Sequence, residues 1–200
     1  MSAIESDNGR AAVRLADGST LEAELVVVGV GVLPNTALAE AAGLQTDNGI
    51  VVDERLCTSA PDIFAAGDVA NAYHPLLARH LRVEHWDNAI GQGEVAAQNM
   101  LGQAATHDRL PYFFSDQYDV GMEYVGSIGP EGYDQMVLRG RPDEHVFTAF
   151  WLREGHVLAA MHANDWDSME PLSRIVGTTQ VTDRLSDQSV PLVDIAAALS

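Results

Sequence analysis

The hydrophobic pattern of the first half of the chain is made of short, uninterrupted apolar runs. Residues 25–30 and 63–66 carry no polar alternation, which is typical of strands that are buried on both faces of a parallel sheet. Residues 11–16 and 20–23 flank Asp17-Gly18, and this dipeptide between two extended segments predicts a β-hairpin. Residues 50–53 are predicted as a further strand. The pattern therefore predicts an α/β fold for this half.

Two helices are predicted in the same half. Thr36 caps a short helix that runs through Ala42 and is closed by Gly43. A longer helix is predicted over residues 86–100, after a loop at 71–84 that is rich in His, Arg and aromatic residues. The small and apolar positions of this helix predict its buried stripe; they are Ala89, Ile90, Gly93, Ala96, Ala97 and Met100.

The second half has a different pattern, which begins after a polar linker at residues 103–109. Residues 124–128, 135–139, 145–152 and 156–161 are predicted strands, and the Gly, Pro and Asp turns between them favour an antiparallel sheet. A helix is predicted over 166–176 with Asp165 as its cap, followed by a last helical piece that ends at Leu199. This half is predicted as a separate α+β domain.

Gly67-Asp68 directly follows the predicted strand at 63–66. In open α/β sheets, ligands bind beyond the carboxyl ends of the strands, where a glycine admits the ligand and a carboxylate can accept hydrogen bonds from sugar hydroxyls. As a pattern alone, the same dipeptide after a strand is more often a plain turn.

Composition excludes several classes of function. The net charge of −18 and the pI of about 4.4 argue against nucleic-acid binding. The longest apolar run, residues 25–33, is too short to cross a bilayer, and the start of the chain has no signal-peptide core, so we expect a cytoplasmic protein without membrane contact. Cys57 is the only cysteine, so redox chemistry would need a bound cofactor. His74, His80 and His85 are too unevenly spaced to predict a metal site.

Five segments together resemble one known family. They are LVVVGVGVLPN (25–35), GIVVD (49–53), TSAPDIFAAGDVA (58–70), RVEHWDNA (82–89) and PYFFSDQ (111–117). The first three are similar to the second half of pyridine-nucleotide-dependent flavoprotein reductases of the glutathione-reductase-like superfamily. The last two resemble its ferredoxin and rubredoxin reductases.

The resemblance implies a set of flavin contacts. Asp68 would hold a ribityl hydroxyl of FAD, with Gly67 and Val69 supplying backbone room beside it. Glu84 and Trp86 would lie at the flavin ring, although Trp86 could also be a core residue.

Two further positions carry implied roles. Phe114 would line the flavin from the C-terminal domain, although the aromatic run 112–114 could instead be core packing. Gly29 would lie where the chain leaves the NAD-binding domain. No residue is predicted as a catalytic acid, base or nucleophile, and Glu84-His85 is interpreted as part of a solvated loop rather than as a proton-handling pair.

The resemblance also implies an organisation in three parts. Residues 1–35 would end an NAD(P)-binding domain, 36–108 would close a three-layer, Rossmann-like FAD-binding domain, and 109–200 would form the α+β reductase domain. The glycine-rich dinucleotide fingerprints of the family do not occur in this sequence. We therefore expect a partial reductase that lacks its N-terminal FAD/NAD-binding half and binds FAD weakly or not at all alone.

The implied function is electron transfer from NAD(P)H through FAD to a ferredoxin- or rubredoxin-type acceptor. An NADH oxidase or coenzyme-A-disulfide reductase, and a non-catalytic folding or dimerisation module, remain alternatives; a homodimer is a further expectation. An acidic iron–sulfur partner would need a local basic patch on this acidic chain. Arg79 and Arg82, or Arg139 and Arg141, are the candidates.

Overall fold

The computed structural model describes residues 2–7, 9–179 and 181–199, which divide into two compact units at 1–33 and 34–200. The first unit is a three-stranded antiparallel sheet of β1 (Ala3–Asp7), β2 (Arg10–Arg14) and β3 (Thr20–Ala23) in the order β1-β2-β3. The predicted hairpin is confirmed as the β2–β3 pair. Asp17 accepts hydrogen bonds from the Ser19 amide and hydroxyl, and these stabilise the turn.

The buried strand predicted at residues 25–30 is wrong. Residues 24–33 form no described strand, and all of their large apolar side chains except the half-buried Val26 are exposed, with Val27 86% and Val30 80% accessible. Among the residues that the structure describes, no backbone hydrogen bond joins this segment to a neighbouring strand. An apolar run becomes a buried strand only where neighbours pair with it and cover it.

The second unit begins with a small mixed α/β layer. Its elements are α1 (Ala37–Ala41), β4 (Ile50–Val52), β5 (Ala70–His74), β6 (Arg79–Leu81) and α2 (Trp86–Met100). The sheet has the order β4-β5-β6, with β4 parallel to β5 and β5 antiparallel to β6. Its small core is formed by Val52, Leu56, Ala65, Ala70, Ala72 and Ala96. The predicted α1, β4 and α2 are confirmed.

The strand predicted at residues 63–66 is wrong as well. Phe64 forms a single bridge to Cys57, and Ile63 is 41% exposed. Gly67–Val69 is one turn of 3₁₀ helix, and β5 begins directly after it. Asp68 therefore precedes a strand rather than following one, and the predicted loop at 71–84 is instead largely the β5–β6 hairpin.

The buried face of α2 differs from the predicted stripe. Ile90, Met100, Gly93 and Ala97 are exposed, whereas the buried positions are Asn88, Gly91, Gln92, Ala96 and Asn99. The polar members of this face make hydrogen bonds inside the protein. Asn99, for example, bonds the carbonyls of Arg55 and Ala105 and the amide of Ala105. Satisfied hydrogen bonds offset the cost of burying these amides.

The rest of the unit is the predicted α+β part. Five antiparallel strands, β7 (Tyr112–Gln117), β8 (Val120–Gly126), β9 (Gln135–Arg141), β10 (Val146–Arg153) and β11 (His156–Ala163), take the order β7-β8-β11-β10-β9. Helices α3 (Met169–Ile175), α4 (Thr182–Ser186) and α5 (Leu192–Ala197) complete it. Its core includes Phe150, Leu152, Leu172, Ile175, Leu185 and Ile195. The antiparallel sheet is confirmed.

Two helix predictions need correction in this part. The helix predicted from residue 166 begins at Met169 with Ser168 at its N-cap, and Asp165 instead accepts a hydrogen bond from the Ser168 hydroxyl. The last helix ends at Ala197 rather than Leu199, and α4 has no counterpart in the sequence prediction. None of the helices in the described ranges is long and apolar enough to span a bilayer.

Candidate functional site

The Gly67–Val69 turn is fixed against helix α2. The Gly67 N–H donates to the buried Gln92 Oε1 at 2.8 Å, and Gly67 has φ +77°, a conformation that favours glycine. A Cβ at Gly67 would lie 3.5 Å from the Cβ of Ala89. The Asp68 side chain is exposed beside this rigid turn. The structure thus presents Asp68 to solvent on a backbone that α2 holds in place.

Arg82 joins this turn to the segment that precedes α2. Its Nη1 donates to the Asp68 carbonyl at 3.1 Å and to Glu84 Oε1 at 2.5 Å. The Arg82 side chain is 12% exposed, and that of Glu84 is 38% exposed. Arg82 positions Glu84 near the turn, which the sequence analysis missed. The alternation of Arg82 and Glu84 at positions i and i+2 of an extended segment places both on one side of the chain and was the available signal.

A cavity of about 420 Å³ lies at the N-terminal end of α2. It brings together three predicted site residues, Glu84, Trp86 and Phe114, from the start of α2 and from β7. Trp86 is 73% and Phe114 50% exposed, so both present apolar ring surface to this opening rather than packing in a core. The other lining residues are His85, Asp87, Ile90, Tyr112 and Phe113.

His85 is half-buried in the wall of this cavity, so its interpretation as part of a solvated loop is wrong. It is the N-cap residue of α2, and its ring centroid lies 4.7 Å from that of Phe113. Its Nδ1 is buried and has no hydrogen-bond partner among the described residues. Burial lowers the pKa of His85, while a backbone hydrogen bond with Tyr112 and the charges of Asp68 and Glu84 oppose that effect.

The electrostatics of the helix end favour an anion in the cavity. An α-helix carries partial positive charge at its N-terminus. Asp87 in the first turn would cancel this charge, but Arg109 pairs with Asp87 at 2.9 Å. The cavity therefore retains the field of the helix end.

Tyr112 connects the cavity to a second polar group in the sheet. Its hydroxyl donates to Glu123 Oε1, and His162 Nε2 lies 2.7 Å from Glu123 Oε2. Burial, followed by the hydrogen bond and the charge of Glu123, raises the pKa of Tyr112 to about 12. Tyr112 is thus held as a neutral hydroxyl whose ring forms part of the cavity wall.

The remaining sequence candidates lie elsewhere. Gly29 belongs to the first unit, within the exposed segment 25–33, and a Cβ there would meet open space. Within residues 2–7, 9–179 and 181–199, no group of three His, Cys, Asp or Glu side chains is placed to hold a metal ion. Arg139 is 7% exposed and bonded to backbone carbonyls, so its assignment to a surface basic patch is wrong.

Two family models match the chain. Residues 1–93 match the pyridine nucleotide-disulphide oxidoreductase model, and residues 112–196 match the reductase C-terminal model. Together the two matches cover most of the chain. The resemblance stated from the sequence is confirmed by both.

Known proteins agree with these matches. The chain is 40% identical over 194 residues to the putidaredoxin reductase of Pseudomonas putida. This alignment covers 94% of this chain and 44% of that protein. The ferredoxin reductase for the CYP199A2 system of Rhodopseudomonas palustris superposes with a TM-score of 0.87 at 37% identity, over 96% of this chain and 48% of that one. This superposition confirms the predicted mixed α/β fold.

A third match is a complex. The covalent putidaredoxin reductase–putidaredoxin complex matches with a TM-score of 0.82 at 38% identity, over 94% of this chain and 45% of that one. The chain spans less than half the length of each of these three relatives.

Proposed function

We propose that this chain, which belongs to the pyridine nucleotide-disulphide oxidoreductase family, forms the flavin-facing second half of a ferredoxin reductase. FAD and NAD(P)H are the cofactors of that family. The complete enzyme would pass electrons from NAD(P)H through FAD to a ferredoxin- or rubredoxin-type acceptor in the cytoplasm. One observation carries the proposal: Glu84, Trp86 and Phe114, from two separate segments, line a single cavity at the N-terminal end of α2.

The residues at this site fit a flavin. Asp68 offers an exposed carboxylate that can accept hydrogen bonds from ribityl hydroxyls, on a turn that Gln92 fixes through Gly67. The exposed rings of Trp86 and Phe114 offer apolar surface for an aromatic ligand. Arg82 joins Glu84, proposed to lie at the ring, to the backbone of Asp68, proposed to bind the sugar.

The bound flavin would supply hydride and single-electron chemistry. The protein supplies position and charge. The N-terminal end of α2 stabilises negative charge in the cavity, and Arg109 prevents Asp87 from cancelling that field. No residue of this chain is assigned a role as acid, base or nucleophile in hydride transfer.

The pyrophosphate of FAD needs a separate site. Dinucleotide phosphates usually bind at a glycine-rich turn that opens a helix, and this sequence contains no Gly-x-Gly-x-x-Gly. We therefore propose that the chain alone binds FAD weakly and that a preceding half supplies the phosphate site.

A chimera tests the function directly. The unmatched N-terminal part of the Pseudomonas putida reductase is fused ahead of this chain, and the purified product is examined for FAD and for NADH-dependent reduction of ferricyanide and putidaredoxin. We expect stoichiometric flavin and reduction of both acceptors. A soluble, folded chimera without flavin would refute the proposal, whereas flavin and ferricyanide reduction without putidaredoxin reduction would refute only the proposed partner.

Matched variants locate the site within the chimera. Asp68→Asn removes the carboxylate proposed to bind the sugar, so we expect at least a tenfold loss of FAD affinity. Asp62→Asn is the control, because Asp62 is exposed in the preceding segment and has φ +62°, which asparagine tolerates. Equal FAD affinity of the two variants would contradict the role of Asp68.

A further inference from the structure

The imidazole of His85 is the one histidine ring in the wall of the cavity proposed to hold the flavin, among the residues described there. It occupies the N-cap position of α2, and Phe113 covers one side of the ring. Its buried Nδ1 has no hydrogen-bond partner among the described residues, and a backbone hydrogen bond with Tyr112 favours the protonated form of the ring.

Three carboxylates lie close enough to His85 to affect its pKa. The charges of Asp68, Glu84 and Asp87 all favour the protonated form of the ring. Two of these carboxylates are already paired, Glu84 with Arg82 and Asp87 with Arg109. Burial is the largest effect on the ring and lowers its pKa, so the neutral form of His85 is favoured before any further charge arrives.

We propose that His85 is a redox-linked proton acceptor, which takes up one proton when the flavin site gains negative charge and releases it when the electrons leave. This inference rests on the proposed function. An added negative charge within about 4–6 Å raises the pKa of a neighbouring base by about 1–3 units. The pKa of His85 would then rise, which favours the protonated ring.

The balance of charge and protons is complete. NAD(P)H delivers a hydride, which carries two electrons and one proton, and leaves the flavin site with one added negative charge. One further proton, taken up from solvent by the imidazole of His85, would balance that added charge, so the cavity as a whole would gain no net charge. When the two electrons pass singly to an iron–sulfur acceptor, both protons return to solvent.

The first test uses the chain as it is. Histidine C–H resonances are followed by NMR during a pH titration, and His85→Gln identifies the His85 signal. We expect the pKa of His85 to lie below the ordinary histidine value of 6.5. A His85 signal that titrates at or above that value would overturn the proposal, because burial would then not favour the neutral ring. His156, which is exposed on β11, provides the control position for the next test.

The second test measures proton coupling in the flavin-loaded chimera. Each proton taken up with two electrons changes the midpoint potential by about 30 mV per pH unit. Between pH 6.5 and 8 we expect wild type and a His156→Gln control to show a slope about 30 mV per pH unit steeper than His85→Gln. Equal slopes in a chimera that binds flavin would overturn the role of His85 while leaving the proposed function intact, and a chimera that binds no flavin would overturn both.

Discussion

Arg139 is a buried guanidinium whose removal should loosen the C-terminal part of the second unit. It lies on β9 with 7% of its surface exposed. Nη1 donates to the carbonyls of Arg184 (3.2 Å), Leu185 (2.8 Å) and Asp187 (2.9 Å), and Nη2 donates to that of Val190 (2.5 Å). One side chain thereby fastens the end of α4 and the segment before α5 to the sheet.

The structure sets the expected size of the effect of Arg139→Met. Nη1 has two hydrogens, so its three contacts amount to two bonds, and with Nη2 the side chain makes about three. At about 1 kcal/mol net for each bond, the loss is about 3 kcal/mol. A stability change of 1 kcal/mol shifts Tm by about 2–4 °C in a chain of this length, so we expect Tm to fall by about 6–12 °C.

Urea unfolding followed by circular dichroism measures this change. Arg141→Met is the matched control, since Arg141 lies on the same strand, is exposed, and pairs only with Glu144 among the described residues at 2.6 Å. We expect it to lose less than about 1 kcal/mol. Arg139→Lys should fall between the two, because one ammonium cannot reproduce the fork of a guanidinium. A loss for Arg139→Met no larger than that of Arg141→Met would refute the reasoning.

Three other perturbations test the neighbourhood of the site. Gln92→Leu leaves the buried Gly67 N–H without its acceptor, so we expect the free energy of unfolding in urea to fall by about 1–3 kcal/mol. Gln98→Leu, at an exposed position of the same helix, should lower it much less. Equal losses of unfolding free energy would show that the bond is unimportant. Glu123→Gln removes the charge beside the Tyr112 hydroxyl and should move the pKa of Tyr112 from about 12 towards 10; an unchanged last step in a tyrosinate absorbance titration would contradict this. Burial, and then the neighbouring His74, lower the pKa of His107 in the folded chain. As the pH falls, the unfolded chain therefore binds a proton at this histidine before the folded chain does, so the folded chain loses stability below about pH 6.5. His107→Gln should therefore lose less free energy of unfolding than wild type between pH 7.5 and 5.5, and an equal or larger loss would argue against His107.

Local signals were sufficient for much of the fold. Helix α2 has the predicted bounds, Trp86–Met100, because a long segment without proline lies between extended chain and Gly102. Four of the five strands of the antiparallel sheet were recognisable because Gly, Pro and Asp turns separate them, whereas β7 (Tyr112–Gln117) was not predicted as a strand. These features depend on residues that are close in sequence, which is why a single sequence reveals them.

The two apolar runs at 25–30 and 63–66 could not be predicted in the same way. Their composition favours strands, but a parallel strand depends on partners that are distant in sequence. In the described part of the chain, the only bridge formed by either run is that of Phe64 with Cys57. The β5–β6 hairpin was missed because its sequence is rich in His and Arg and does not have a typical strand composition. Its two strands nevertheless pair, with Tyr73 opposite His80.

The buried face of α2 was predicted from its apolar positions, yet the protein buries its amides. Asn88, Gln92 and Asn99 each hold a backbone or histidine group from a different segment. Hydrogen bonds of this kind specify where loops lie more narrowly than apolar contacts do. Helix α2 therefore holds the segments around the site in place through its buried amides. A pattern of hydrophobic residues does not predict such contacts.

Asp68 shows how the candidate site is maintained without the strand expected before it. The carboxylate was predicted at the end of a buried strand, where the sheet would hold it. Instead Gly67 is bonded to Gln92, and the carbonyl of Asp68 is bonded to Arg82, which also holds Glu84. These contacts all lie within the second unit, and none of them involves the exposed run at residues 25–30. The turn that carries Asp68 and the side chain of Glu84 are thus fixed relative to each other by polar contacts of this chain.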